Sequence, residues 1–125
     1  MLQFANTVDD RGKVVSALTQ IEARSGICRL RKGDLLTPSE ASFALDSLSD
    51  EMRRIIEQPV NAPVLEAAST AVERHYLRAL DAVQLASAIV ARDLLAASDM
   101  RFISSDLELL EAARAEGFDT WNPCD

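Results

Sequence analysis

Leu77-Arg78-Ala79-Leu80-Asp81-Ala82-Val83-Gln84-Leu85-Ala86-Ser87-Ala88 decides how this chain is read. Its spacing predicts an apolar helix that opens on one carboxylate and runs to about Ala97. Downstream, Phe102-Ile103-Ser104-Ser105-Asp106 reads as a short buried strand ending on a second carboxylate, directly before an amphipathic helix over 107–116. Strand, acid and helix in immediate succession build a site, because ligands of open α/β sheets bind beyond the carboxyl ends of the strands.

Working outward, Gly117 stops the 107–116 helix, and Phe118-Asp119-Thr120-Trp121-Asn122 forms a last strand ended by Pro123. Upstream, Asn61-Ala62-Pro63 opens a helix through Val64, Ala67, Ala68, Ala71 and Val72 to about Arg74. Ile55-Ile56-Glu57-Gln58-Pro59-Val60 is short, β-branched and interrupted by proline, which predicts a strand near a sheet edge. Thr37-Pro38-Ser39-Glu40 is a capping box with proline at the first helical position, followed by the apolar stripe Ala41, Ala44, Leu45, Leu48 and Met52. Before it, the strand Lys13-Val14-Val15 leads into a helix capped by Ser16 or Thr19 and reaching about Lys32. Leu18, Ile21, Ser25, Cys28 and Leu30 lie near one face of that helix, and Gly33 stops it. Leu2 to Val8 reads as the last turns of a helix, followed by a turn at Asp10-Arg11-Gly12. Short apolar strands alternating with longer helices predict one α/β domain over 1–125, with a mostly parallel sheet covered on both faces.

The composition agrees with one core: 125 residues at 48% hydrophobic content bury enough apolar surface for a single domain. A net charge of -7 argues against coating nucleic acid by bulk positive charge. It leaves room for an enzyme that holds nucleic acid through divalent cations, which turn an acidic site attractive to phosphate. Cys28 and Cys124 stand far apart with no second Cys or His at metal-ligand spacing, so neither a zinc site nor a disulfide framework is indicated. The N-terminus lacks a basic segment followed by an apolar core, and no uncharged apolar run is long enough to span a bilayer. The expectation is a reduced, cytoplasmic protein without a membrane segment.

Glu22, Asp81 and Asp106 occupy comparable places, early in a helix or at a strand end. Convergent carboxylates without His or Cys suit Mg2+ or Mn2+, which take oxygen ligands and keep several waters. Each acid also has a local reading. Glu22 completes the spacing Thr19-Gln20-Ile21-Glu22 of a capping box, Asp81 complements a helix dipole, and Asp106 caps its helix or neighbours a cap at Ser105 with Glu108 three on. Arg24, Arg29, Arg31 and Lys32 are a small basic set that either touches RNA phosphates or forms a solvated face suited to a helix C-terminus. His75 has no nucleophile partner in the sequence pattern.

The Asp81 segment, Phe102-Ile103-Ser104-Ser105-Asp106 and the terminal Asn122-Pro123 resemble the C-terminal half of PIN-domain proteins, nearest to the VapC-type toxin ribonucleases of toxin-antitoxin pairs. Val15-Ser16-Ala17-Leu18-Thr19-Gln20-Ile21-Glu22 resembles that family's second strand and the helix carrying its second acid. The resemblance implies a three-layer α/β fold and metal-dependent cleavage of RNA. Glu22, Asp81 and Asp106 would then be catalytic metal-binding acids for Mg2+ or Mn2+, with Ser104 at the site of a supporting hydroxyl. It also implies a homodimer and an antitoxin partner of VapB type.

One departure matters. The family begins with a hydrophobic strand ending in Asp, central in the sheet, and nothing before Lys13 has that form. The expectation is therefore a domain lacking its first central strand, on the order of twenty residues including the following helix, with Met1 a truncated start. Asp9 and Asp10 are not assigned the missing role. Two rivals follow: a catalytically impaired PIN-like remnant serving dimerisation or antitoxin binding, and a phosphoryl-accepting receiver-like domain. The second lacks paired acids after a first strand and a Lys after a late one.

Overall fold

A computed structural model of the chain describes residues 3–5 and 13–125. Among these residues the elements are β1 (Gln3–Ala5), β2 (Lys13–Ser16), α1 (Ala17–Lys32), α2 (Pro38–Met52), β3 (Ile56–Gln58), α3 (Ala62–His75), α4 (Ala79–Leu95), β4 (Arg101–Ile103), α5 (Leu107–Ala115) and β5 (Asp119–Trp121). The strands form one sheet in the order β3-β2-β1-β4-β5. Every pairing is parallel. Parallel neighbours need crossover connections, and among the described residues helices link the strands from β2 onward in a three-layer α/β arrangement.

The alternation of strand side chains divides the core. Phe4, Val14 and Phe102, all fully buried, share one cluster with Val64 of α3, Leu85 of α4 and Leu109 of α5. The Phe4 and Phe102 rings stack with centroids 5.3 Å apart, and Phe118 tilts against Phe102 at 5.8 Å. Ala5, Val15 and Ile103 alternate to the other face and are buried as well. On α4 the small residues Ala82, Ala86, Ala88 and Ala91 are buried in the same cluster, where α4 packs against α3.

The helix ends follow local chemistry. Thr37 and Glu40 make the reciprocal capping box, Glu40 N donating to Thr37 Oγ1 at 3.1 Å and Thr37 N to Glu40 Oε1 at 2.8 Å. Asn61 Oδ1 accepts from Val64 N at 3.2 Å to start α3. Ser16, not Thr19, caps α1, its Oγ accepting from Leu18 N at 3.2 Å. The β3 strand lies at a sheet edge with Pro59 directly after it, as its composition predicts. None of the described helices is long and apolar enough to cross a membrane.

Two expectations are corrected. The central position of the sheet is filled, because β1 sits between β2 and β4. Gln3–Ala5, read from sequence as helical, is a strand with Phe4 and Ala5 fully buried. Its two neighbours offer backbone partners on both sides, and that tertiary pairing outweighs a local preference too short to show a period. The remainder of that segment, Leu2 and Asn6 to Val8, and the turn at Asp10-Arg11-Gly12 lie outside the described residues. The second correction concerns α1. Its buried residue is Thr19, whereas Ile21 and Leu30 are 61% and 43% exposed. The expected apolar face of α1 is not core, since the helix reaches β2 near its beginning and otherwise packs on α2.

Candidate active site

The described strands all being parallel, their carboxyl ends lie together; Glu22 and Asp106 come after β2 and β4, whereas Asp81 comes after α3. Ser16 closes β2 and caps α1, so Glu22 comes in the second turn of α1. Ser104 follows β4, and its Oγ accepts from Asp106 N at 3.1 Å while its own N donates to Trp121 O at 3.2 Å. Asp106 is the N-cap of α5, its Oδ1 accepting from Leu109 N at 3.1 Å, so the carboxylate serves the local role and still faces solvent. Asp81 stands in the first turn of α4, half-buried, and takes no hydrogen bond among the described residues.

A buried polar network ties α4 to α1. Gln84 Nε2 donates to Glu22 Oε1 at 2.9 Å and to Thr19 Oγ1 at 3.3 Å, with Gln84 and Thr19 only 3% and 2% exposed. Ser87 Oγ contacts Ser16 Oγ at 3.1 Å and donates to Val83 O at 2.7 Å. These residues orient Glu22 and lock the start of α1 to α4. Gln84 and Ser87 were not singled out from the sequence, and Ser16 and Thr19 were read only as alternative caps. The available signal was a glutamine three residues after Asp81 inside an otherwise apolar run, a placement that demands a partner once buried.

Asp81 feels the charges of the other two acids. Partial burial pushes the Asp81 carboxyl above the ordinary Asp range, and the charges of Asp106, Glu22 and Glu108 push it further, against the pull of Arg78. Accumulated negative charge around one half-buried carboxylate is what a cation would relieve. The donor chemistry, carboxylate oxygens with neither imidazole nor thiolate, fits a hard cation. Among the described residues, however, no three His, Cys, Asp or Glu side chains form a group able to hold one ion. Glu22, Asp81 and Asp106 therefore share an electrostatic field without forming a closed ligand set.

Arg24 and Arg31 of α1 have partners within the fold. Arg24 Nη2 donates to Ser49 Oγ of α2 at 2.9 Å and Arg24 Nε to Gln20 Oε1 at 3.4 Å. Arg31 pairs with Asp34 at 3.3 Å, and Arg29, Arg31 and Lys32 occupy the last turn of α1, where cations suit the helix dipole. His75 Nε2 lies 2.6 Å from Glu116 Oε2, which also accepts from Arg74 Nη1 at 2.8 Å. That cluster fastens the end of α3 to the end of α5.

No protein-family model and no curated protein sequence matches the chain. Among solved structures, the chain is similar to one described as FitAB bound to an IR36 DNA fragment, with a TM-score of 0.65 and 20% identity. The match covers 90% of this chain and 74% of that one. At this identity the likeness is one of fold.

Proposed function

We propose that this chain is a metal-dependent endoribonuclease of the VapC toxin type, hydrolysing RNA phosphodiesters at the carboxyl end of its sheet. What supports the reading is that the Asp81 carboxyl, raised first by partial burial, is raised further by the charges of Asp106 and Glu22. The resemblance of the Asp81 and Asp106 segments to PIN-domain toxins supports it, as does the fold shared with FitAB.

In this reading Glu22, Asp81 and Asp106 would hold Mg2+ or Mn2+, which when bound would supply positive charge to activate water and offset the phosphodiester. Gln84 holds Glu22 by one oxygen and leaves the other free for that role. The Asp106 carboxylate is fixed by its cap bond to Leu109 N, and Ser104 fixes its backbone. Arg78 sits close enough to Asp81 to moderate its charge. A homodimer and an antitoxin of VapB type complete the proposal, the acidic chain favouring a partner that presents basic residues.

The second reading, a catalytically impaired PIN-like remnant that binds antitoxin or a second copy, is favoured by the absence of a closed three-acid group among the described residues. Mn2+ binding separates the two. Electron paramagnetic resonance titration of the chain should show a site weakened in Asp81→Asn and Asp106→Asn alike. Binding that is absent, or indifferent to both substitutions, would move the assignment to the remnant.

A further inference from the structure

We propose that the corner joining α3 to α4 is a contact site for a single RNA strand, with Tyr76 stacking on a base and Arg78 meeting an adjacent phosphate. The proposal rests on the nuclease reading and gives it a substrate-binding surface.

Tyr76 is 89% exposed, so its ring adds almost nothing to the core. Its backbone has φ +55°, a conformation that glycine adopts without penalty and other residues rarely take. Neither packing nor backbone preference accounts for a tyrosine there. The ring is nevertheless presented from a stiff corner. Tyr76 N donates to Val72 O at 2.9 Å, the neighbouring His75 is held against Glu116 at 2.6 Å, and Leu77 on the other side is buried. An aromatic ring presented to water from a held backbone is a platform on which bases stack irrespective of sequence.

Beside the ring lies a cavity of about 390 Å³ lined by His75, Tyr76, Glu108, Glu111, Ala112 and Ala115. Ala112 and Ala115 offer an apolar floor to a flat ring, and the two glutamates offer acceptors for base N–H groups. Along the chain, the cavity's Glu108 lies two residues beyond Asp106 and its Tyr76 five residues before Asp81. Arg78 lies between Tyr76 and Asp81 in sequence, is exposed, and makes no side-chain bond to the helix it caps. A strand whose base stacks on Tyr76 thus has a phosphate partner on the way to the acidic site.

The test is fluorescence anisotropy of a short mixed-sequence RNA labelled at its 5′ end, added to the full chain in EDTA so that no cleavage occurs. Tyr76→Gly should weaken binding about tenfold while keeping or raising the melting temperature, since glycine relieves the positive φ. Tyr76→Phe should bind as the parent does, and Arg78→Gln should flatten the salt dependence by about one unit of log–log slope. Unchanged binding in Tyr76→Gly, equal binding of an abasic backbone, or no binding by the parent chain would each overturn the proposal. Base-dependent binding without any metal-dependent cleavage would leave the contact site standing and remove the nuclease reading. Cleavage with the KM of Tyr76→Gly unchanged would do the reverse.

Discussion

Replacing Gln84 by Leu tests whether the buried network between α4 and α1 is a structural tie as well as a support for Glu22. Gln84 and Thr19 are 3% and 2% exposed, and their mutual bond is 3.3 Å long. Removing the amide leaves the Thr19 hydroxyl buried without that partner, a loss of about 1–3 kcal/mol, and also removes the bond to Glu22. The gain from burying a leucine offsets part of this, so the net loss should be about 2 kcal/mol. For 125 residues at ~2.1 cal/mol/K each, that is roughly 8 °C in the melting temperature. Urea unfolding of Gln84→Leu, Thr19→Val and the double variant gives the assay. Because exchanging both partners for apolar groups is nearly neutral, the double variant should recover to within about 1 kcal/mol of the parent. A Gln84→Leu change below about 0.5 kcal/mol, or strict additivity of the two singles, would refute the reasoning. In the same variants Mn2+ affinity should fall about tenfold wherever Gln84 is lost, as when an outer hydrogen bond to a ligand is cut.

Asp81→Asn should stabilise the fold at neutral pH by less than about 1 kcal/mol, the group being largely screened by solvent, while abolishing activity. The sign follows from linkage: a carboxyl whose folded pKa is raised above 3.8 favours the native state below 3.8 and loses that contribution as pH rises through the raised value. Urea melts across the acidic range check it, and a destabilised variant would contradict it. Asp106→Asn should keep the α5 cap and unfold like the parent, whereas Asp106→Ala should lose about 1 kcal/mol; equal stability of the two would remove Asp106 from the capping role. Burial pushes the Glu116 carboxyl up, but hydrogen bonds from His75 and Arg74 prevail and hold it below 4.5. Its stabilising contribution is therefore present above 4.5 and lost as pH falls through the lower folded value. Glu116→Gln should accordingly unfold more readily at neutral pH, by about 1 kcal/mol after screening, with the difference vanishing in strong acid.

The parts of the fold legible in the sequence are those whose cause is local. Thr37-Pro38-Ser39-Glu40 names its own helix start, and the proline after Ile56–Gln58 marks an edge strand, because caps and missing N–H groups act within a few residues. β1 was not legible: three residues beginning with Gln3 show no period, and what makes them a strand is pairing with β2 and β4 from distant parts of the chain. The face of α1 was misread for a related reason: the burial of an apolar residue on a helix depends on which neighbour covers it, and Ile21 and Leu30, nine residues apart, lie on opposite sides of the helix. At the candidate site, the sequence pointed to Glu22, Asp81 and Asp106 through their positions before or within helices. That Gln84 reaches across to Glu22 required knowing that α1 and α4 meet.

The central claim is that the acids at the carboxyl end of this sheet support metal-dependent cleavage of RNA. Incubating a mixed RNA pool with the purified 125-residue chain, with and without Mn2+, beside Asp81→Asn and Asp106→Asn, tests it most directly. The account predicts internal cleavage that requires Mn2+ and disappears in both variants, although both remain folded. Cleavage that persists in EDTA or in either variant, or a folded chain that leaves the RNA intact with Mn2+ present, would contradict it.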